Sequence, residues 1–526
     1  MQFQRTISPF GLLFAGIGSI VGSGWLFGPL YAAQIAGPAA LISWILGGIL
    51  MIVIALTFAE LGTAFPVAGG MVQYAQYSHG PLVSFMTGWM VWISSIAVAP
   101  VEAIAIMQYA NNYLPVLLKT VNNVPVLTHF GIFVGACIML LMCILNYWGA
   151  RFFSRSNTLI TSIKLIVPIA TVLLLLIADF HLSNFSSPQT GGFIPYGWHG
   201  VFAALPLGGI VYSYIGANTV LQLAGESKRP QFSIPLALIG SMIFCIILYA
   251  LLQIAFVGAL SFNDIAKGWK NIHYVGDNGP FAGILMALGL GWFVIIIYAD
   301  ALISPFGTGY IYTAATARVC YGLSKIGFLP KGMQKLSPNA VPVRGIILNF
   351  LLGLLLFLPF PGWQQLVGFI ISCFIVSYII GPIALVGLRK SQPDHLRPFR
   401  LPMANLISFL AFYFCNLLVF WTGWQTVYKM MIAMLIGFIF FIIYCRQQKH
   451  HLWSRQWHTS WWMAPYVIGM MIISYLGTFG GGTEKISFGV DFLVIALFSL
   501  VIFALAIKLA HKKDTVALIP DLSLTS

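Results

Sequence analysis

Stretches of about 20 apolar residues follow one another along almost the whole of this 526-residue chain, and no other feature restricts its fold as strongly. A helix of that length crosses the ~30 Å hydrocarbon layer of a bilayer, where a spanning backbone must satisfy its own polar groups. The centres of these stretches fall near residues 20, 50, 95, 138, 169, 211, 246, 298, 352, 376, 413, 436, 470 and 499. Turn-rich or charged segments separate them, among them QIAGP, ARFFSRSN, ESKRPQ, PFPGW and RKSQPDHLRPFR. The chain therefore reads as an all-α polytopic membrane protein of about 14 transmembrane helices. Composition agrees: 59% of residues are hydrophobic and 7% charged, against ~25% charged in a soluble domain. The first apolar run is too long for a cleavable signal peptide and lacks an A-x-A-like site.

Loop charges check the helix count independently, because Lys and Arg favour cytoplasmic loops. With the N-terminus inside, 20 of the 26 basic residues fall on one face, five on the other, and Lys164 within a helix. A helix missed or invented would scramble that alternation. Both termini are expected to be cytoplasmic, in a plasma (inner) membrane. Basic inner loops facing anionic headgroups then explain the net charge of +14. Membrane lipid, and no nucleic acid, is the expected macromolecular partner. The seven cysteines lie in or beside apolar runs without paired spacing, which reads as neither a disulfide framework nor a metal site. The ten histidines are mostly in loops, with no metal-ligand spacing on a helix. No metal or other cofactor is expected, and the oligomeric state is unreadable.

The segment GSIVGSGWLFGP, residues 18–29, places Gly18, Gly22, Gly24 and Gly28 inside the first apolar run. Glycine costs a helix interior about 1 kcal/mol relative to alanine. Gly18 and Gly22 have the G-x-x-x-G spacing that lets two helices approach closely. The other reading is an interrupted helix, whose freed amides and carbonyls form a polar site at mid-membrane. A second segment favours interruption. Transporters often carry broken helices at corresponding positions of two inverted repeats. With five helices per repeat, the counterpart of helix 1 is helix 6, PLGGIVYSYIGANTVLQLAGESKRP, where Ser213, Gly216, Ala217 and Asn218 lie mid-span. With the N-terminus inside, a first half of five helices ends outside, so the second half has the opposite topology, as inversion requires.

IGSIVGSGWLFGP resembles the first-helix signature of the amino acid–polyamine–organocation (APC) permeases, and SYIGANTVLQLAGESKRPQFSIPLAL their sixth helix and following loop. AELGTAFPVAGGMVQYA is similar to the end of their helix 2, and ATARVCYGLSKIGFLPKGMQKLSPNAVPVRG to the stretch joining helices 8 and 9. The resemblance spans roughly residues 8–400 and is nearest to bacterial aspartate–proton symporter-like members. It implies a ten-helix core over residues 1–400, built as two inverted five-helix repeats (about 8–180 and 198–390) whose helices 1 and 6 are interrupted. Residues 401–526 would form four additional peripheral helices, with HLWSRQWHTSWW as an interfacial anchor. It also implies transport of amino acids or related amines by alternating access.

An amino acid presents a carboxylate and an ammonium, and a broken helix offers a polar end to each. The amides of Gly22, Ser23 and Gly24 can hold the carboxylate at a helix N-terminus. Carbonyls near Ile20, and those of Tyr212, Ser213 and Tyr214 beside Gly216, would accept from the ammonium. The family's gating aromatic falls on Tyr212, for which plain packing is the alternative. Many relatives place Glu where this chain has Asn218, so no carboxylate relay is expected there. Ionisable residues inside spans are functional candidates by default. Lys164, in TLITSIKLIVPIA, lies about seven residues into helix 5, ~10 Å deep at 1.5 Å per residue, where snorkelling is strained. In proton-driven members resembling this chain, the matching lysine occupies the place of a cation and bridges helix 5 to broken helix 1 and to helix 8, here near Ser304 or Thr308. Asp300 and Glu102 are further proton-coupling candidates, each with a structural alternative. Glu60 and Glu226 end helices and read as loop anchors or gate contacts.

The expected function is a secondary active amino acid permease, coupled to protons as a symporter. An exchanger without ion coupling is the alternative within transport, and a membrane receptor the alternative from another class. An enzyme would show a nucleophile–base or metal constellation, and ATP use a P-loop; neither is present in the sequence. An acidic substrate follows from the subfamily likeness, while Glu102 and Asp300 equally suit a cationic one.

Overall fold

The computed structural model describes residues 7–67, 70–121, 124–148, 150–224, 227–272, 279–325, 327–338, 341–358, 362–447 and 457–511. Helix α1 (Pro9–Ile20) starts where Ser8 accepts a hydrogen bond from the Gly11 amide and Pro9 occupies the first turn, a donor-free position that suits proline. After a break, α2 (Gly24–Ala36) runs through a 3-10 turn (Gly37–Ala39) into α3 (Ala40–Ala64). Next come α4 (Gly70–His79), α5 (Pro81–Ala110), an antiparallel hairpin of β1 (Leu118–Val121) and β2 (Val124–Leu127) with Leu118 opposite Leu127, α6 (His129–Tyr147) and α7 (Ala150–Ala178). A second broken segment comprises α8 (Gly197–Leu207), a 3-10 turn (Tyr212–Ala217) and α9 (Asn218–Gln222). It is followed by α10 (Pro230–Gly258), the short α11 (Phe262–Ile265) and α12 (Pro280–Ala287), then α13 (Gly291–Lys325) and α14 (Val343–Leu355). The chain ends with α15 (Trp363–Tyr378), α16 (Ile380–Ser391), α17 (Ala404–Trp421), α18 (Trp424–Gln447), α19 (Met463–Leu476) and α20 (Val490–Leu509).

Among the described residues, ten helical stretches are long and apolar enough to cross a membrane, or eleven if α8 and the segment after it, bent by 44°, count as one. That is fewer than the 14 spans read from hydropathy, and the reason is length. The first expected span is cut into pieces of 12 and 13 residues, and the second piece joins the stretch that continues through α3. Helices α14 and α19 have 13 and 14 residues, short of the ~20 that cross hydrocarbon unaided.

Helices α5 and α13 form the most extensive pairing, with α15 against α5, and α10 against α3 and α1. The stretch Trp363–Ser391 is buried throughout its apolar window. By contrast, α6, α7, α13 and α20 turn Phe133, Leu141, Ile166, Ile177, Ile295 and Val501 outward. Such apolar exposure suits lipid tails. Of the C-terminal helices, α17 packs on α3 and α8, and α18 on α5 and α15.

Candidate functional site

Both breaks arise from local sequence. Helix α1 stops because Val21 turns extended (φ −77°, ψ 101°), and α2 restarts after Ser23, whose side chain makes no capping bond. In the second break, Gly208 and Gly209 follow Pro206, and Gly209 takes φ +76°, a conformation open chiefly to glycine. The two breaks are in contact. Ser19 Oγ donates to the Gly216 carbonyl (2.8 Å), and a Cβ on Gly216 would collide with the Ser19 backbone.

Around this junction four elements deliver polar groups. The Ser23 amide donates to Glu102 Oε2 (3.1 Å) and the Tyr212 hydroxyl to Glu102 Oε1 (2.7 Å). Lys164 Nζ donates to the Gly18 carbonyl and to Thr308 Oγ1, each at 2.7 Å. Thr308 Oγ1 lies 3.3 Å from the Val21 carbonyl, to which it donates, and the Tyr249 hydroxyl donates to the Ile20 carbonyl (3.2 Å). Thus α5, α7, α10 and α13 all engage the interrupted backbone of residues 18–23. Glu102, Lys164 and Ser23 are completely buried. Charged groups so far from water are costly unless paired and hydrogen-bonded, and here each has partners.

The remaining candidates are placed differently. Ser213 Oγ returns to the Gly209 carbonyl (2.9 Å), although its carbon skeleton lies against Gly24. Tyr214 points away, donating to the Trp44 carbonyl (3.0 Å). Asn218 Oδ1 accepts from the Tyr312 hydroxyl (3.2 Å). Asp300 and Ser304 stand eight and four residues before Thr308, on the same face of α13. Among the described residues neither Asp300 oxygen has a partner at hydrogen-bond length; its polar neighbours include the Trp25 indole and the Lys164 ammonium.

A family model described as amino acid permease matches residues 7–441. The glutamate/serine transporter AimA of Bacillus subtilis (strain 168) is 40% identical, covering 98% of this chain and 95% of its own length. The aspartate-proton symporter of the same organism is 35% identical over 95% of this chain and 96% of its length. Its branched-chain amino acid permease BcaP is 26% identical over 85% of this chain. The chain belongs to the amino acid permease family. It is an APC-superfamily membrane transporter, and its relatives are permeases, not enzymes.

One side of the permease's junction is sealed by aromatic rings. Trp363 donates from its indole to Ser23 Oγ (3.0 Å) and stacks near Tyr31 and Phe27, with centroids 5.6 and 5.3 Å away. The Tyr212 ring meets it edge-on at 5.9 Å, and Tyr109 packs on Phe27 at 5.4 Å. Nothing in the sequence marked Trp363 beyond its place after the PFPG turn. On the opposite side, a recess is lined by Ala15, Thr219, Gln222, Leu223, Ile311 and Arg318. Farther along α3, Glu60 holds the loop after α16: Arg389 reaches both of its oxygens (2.8 and 2.5 Å), Arg397 approaches at 3.3 Å, and the Leu401 amide donates at 2.7 Å. Glu226 lies outside the described residues.

Proposed function

We propose that this permease is a proton-coupled amino acid symporter that works by alternating access at the junction of its two broken helices. The observation that carries the proposal is Lys164, whose buried ammonium ties α7 to the broken α1 through Gly18 and to α13 through Thr308. A single proton gained or lost there makes or breaks a link between separate helices, which is a two-state device. Asp300, in electrostatic reach of Lys164, and Glu102 complete the proton-handling group. The substrate carboxylate is assigned to the amides of Gly22, Ser23 and Gly24, at the positive end of α2. Its ammonium is assigned to the carbonyls of Ile20, Tyr212, Ser213 and Tyr214; a carbonyl that already accepts one bond retains a second lone pair. Gly216 allows the close approach of the breaks, and Asn218 orients Tyr312. The names of the relatives, glutamate/serine and aspartate, favour small polar or acidic amino acids as substrates.

The proposed architecture has 14 crossings. Helix 1 is α1 with α2, helix 6 is α8 with α9, helix 10 is α15 with α16, and helices 11–14 are α17 to α20. The core is residues 1–400, its inverted repeats about 8–180 and 198–390, and residues 401–526 the added helices. With both termini at the cytoplasmic face of the plasma membrane, the Trp363 aromatic cluster lies on the outer side and the Arg318 recess on the inner side.

Uptake of L-glutamate, L-aspartate and L-serine into proteoliposomes tests the proposal. An alkaline interior should drive at least one of them above equilibrium, and a protonophore should collapse that accumulation. Uptake only into vesicles preloaded with amino acid would identify an exchanger, and binding without uptake a receptor.

A further inference from the structure

The amide of Ser23, at the start of α2, is one of the three donors to which the substrate carboxylate is assigned above. In this structure that donor already serves a carboxylate belonging to the protein itself. Glu102 projects from α5 across the break, with Oε2 accepting from the Ser23 amide (3.1 Å) and Oε1 from the Tyr212 hydroxyl (2.7 Å). The missing side chain of Gly22 makes room for it: a Cβ there would stand 2.8 Å from Glu102 Oε1 and 2.8 Å from Thr308 Oγ1. Glu102 is fully buried, and Lys164, whose ammonium is bound to that same Thr308 hydroxyl, supplies the nearby positive charge. An amide at a helix N-terminus, a phenol donor, a glycine-made hollow and a flanking ammonium are what a ligand carboxylate requires.

We propose that Glu102 is an internal occupant of the substrate-carboxylate seat, which the incoming amino acid must evict. The inference rests on the amino acid reading of the junction. Two carboxylates cannot share one amide donor without strong repulsion, so the affinity for substrate is set by the difference between its carboxylate and that of Glu102 at Ser23. The occupant keeps the buried N–H satisfied at every stage, because leaving it bare costs about 1–3 kcal/mol. It also weakens substrate binding, which favours release on the far side. Glu102 is therefore a determinant of affinity that acts by competition, not by contact with the substrate.

Removing the competitor should tighten binding. Purified full-length permease is titrated with L-glutamate, L-aspartate and L-serine as wild type, Glu102→Gln and Glu102→Asp. Glu102→Gln replaces the charged acceptor by a neutral one and should bind at least tenfold more tightly. Glu102→Asp draws the carboxylate back by one methylene and should bind more tightly by a smaller factor, giving a readout if the glutamine variant does not fold. Unchanged or weaker binding in the folded variants would overturn the inference and make Glu102 a substrate contact or a structural acid. A second arm needs no amino acid. Acetate, compared with chloride at equal ionic strength, should raise the melting temperature of Glu102→Ala by several degrees and leave wild type unmoved. An equal response of the two proteins would count against an internal occupant. If no amino acid binds wild type or any variant, the amino acid reading fails, and the acetate arm still decides whether Glu102 occupies a carboxylate seat.

Discussion

A Cβ placed on Gly24 would collide with Ser213 Oγ, so even a methyl group there must push the second break away from the first. Gly24→Ala is expected to weaken amino acid binding about tenfold, or ~1.4 kcal/mol. Gly24→Leu should abolish binding while the protein still inserts and purifies as wild type does. Unaltered affinity in purified Gly24→Leu would contradict the assignment of the substrate carboxylate to this backbone. At this scale, the sequence disclosed residue types that carry their reason with them. A lysine deep in an apolar run needs partners, and glycines in a spanning helix need a close approach or a break. What it withheld were pairings set by packing. Ser23 and Glu102 are 79 positions apart, and Glu60 and Arg389 are 329 apart. Trp363 becomes part of the site only because α15 lies across both breaks.

At the scale of elements, apolar runs located the helices but not their division. Hydropathy cannot see that Val21 turns extended or that α2 continues through a 3-10 turn into α3, because both depend on local dihedrals within uniformly apolar sequence. Nor did it reveal how the last helix docks. The carbonyl of Ala506 in α20 receives the His79 Nε2–H (3.0 Å), the His511 amide donates to the Ser78 carbonyl (2.8 Å), and Thr459 Oγ1 donates to the His79 carbonyl (2.6 Å). Burial pushes both imidazoles from the ordinary 6.5 down to about 4. The unfolded chain therefore binds these protons more readily than the fold does. The stability contributed by keeping them neutral is complete above pH ~6.5 and is lost as pH falls from there towards 4. For His79 alone the full effect is roughly 3 kcal/mol. The apparent melting temperature should accordingly drop between pH 7 and pH 5, and the drop should shrink in His79→Gln/His511→Gln. An identical drop in that double variant would place the acid sensitivity elsewhere.

For the whole molecule, the division of basic residues predicts which loops face which compartment. In a background cleared of native cysteines, Thr120→Cys, Lys267→Cys and Lys485→Cys should react with an impermeant thiol reagent applied outside. Lys335→Cys and Leu396→Cys should react only after the membrane is opened. All five positions are exposed, so silence would report sidedness and not burial. Outside labelling at Leu396→Cys would break the proposed 14-span topology. Helices α17 and α20 both pack against α8: Phe202 stacks on Trp421 of α17 with centroids 4.7 Å apart and meets Phe492 of α20 edge-on at 5.0 Å. These C-terminal helices thus brace one half of the broken segment that the proposed alternating access would move. Proton coupling turns on whether Lys164 converts a proton gradient into that movement, and Lys164→Ala compared with wild type in proteoliposomes decides it. With only a pH gradient supplied, wild type should concentrate its amino acid. The variant should lose accumulation while still exchanging labelled for unlabelled substrate. Accumulation by Lys164→Ala against a substrate gradient under that same pH gradient would contradict the account.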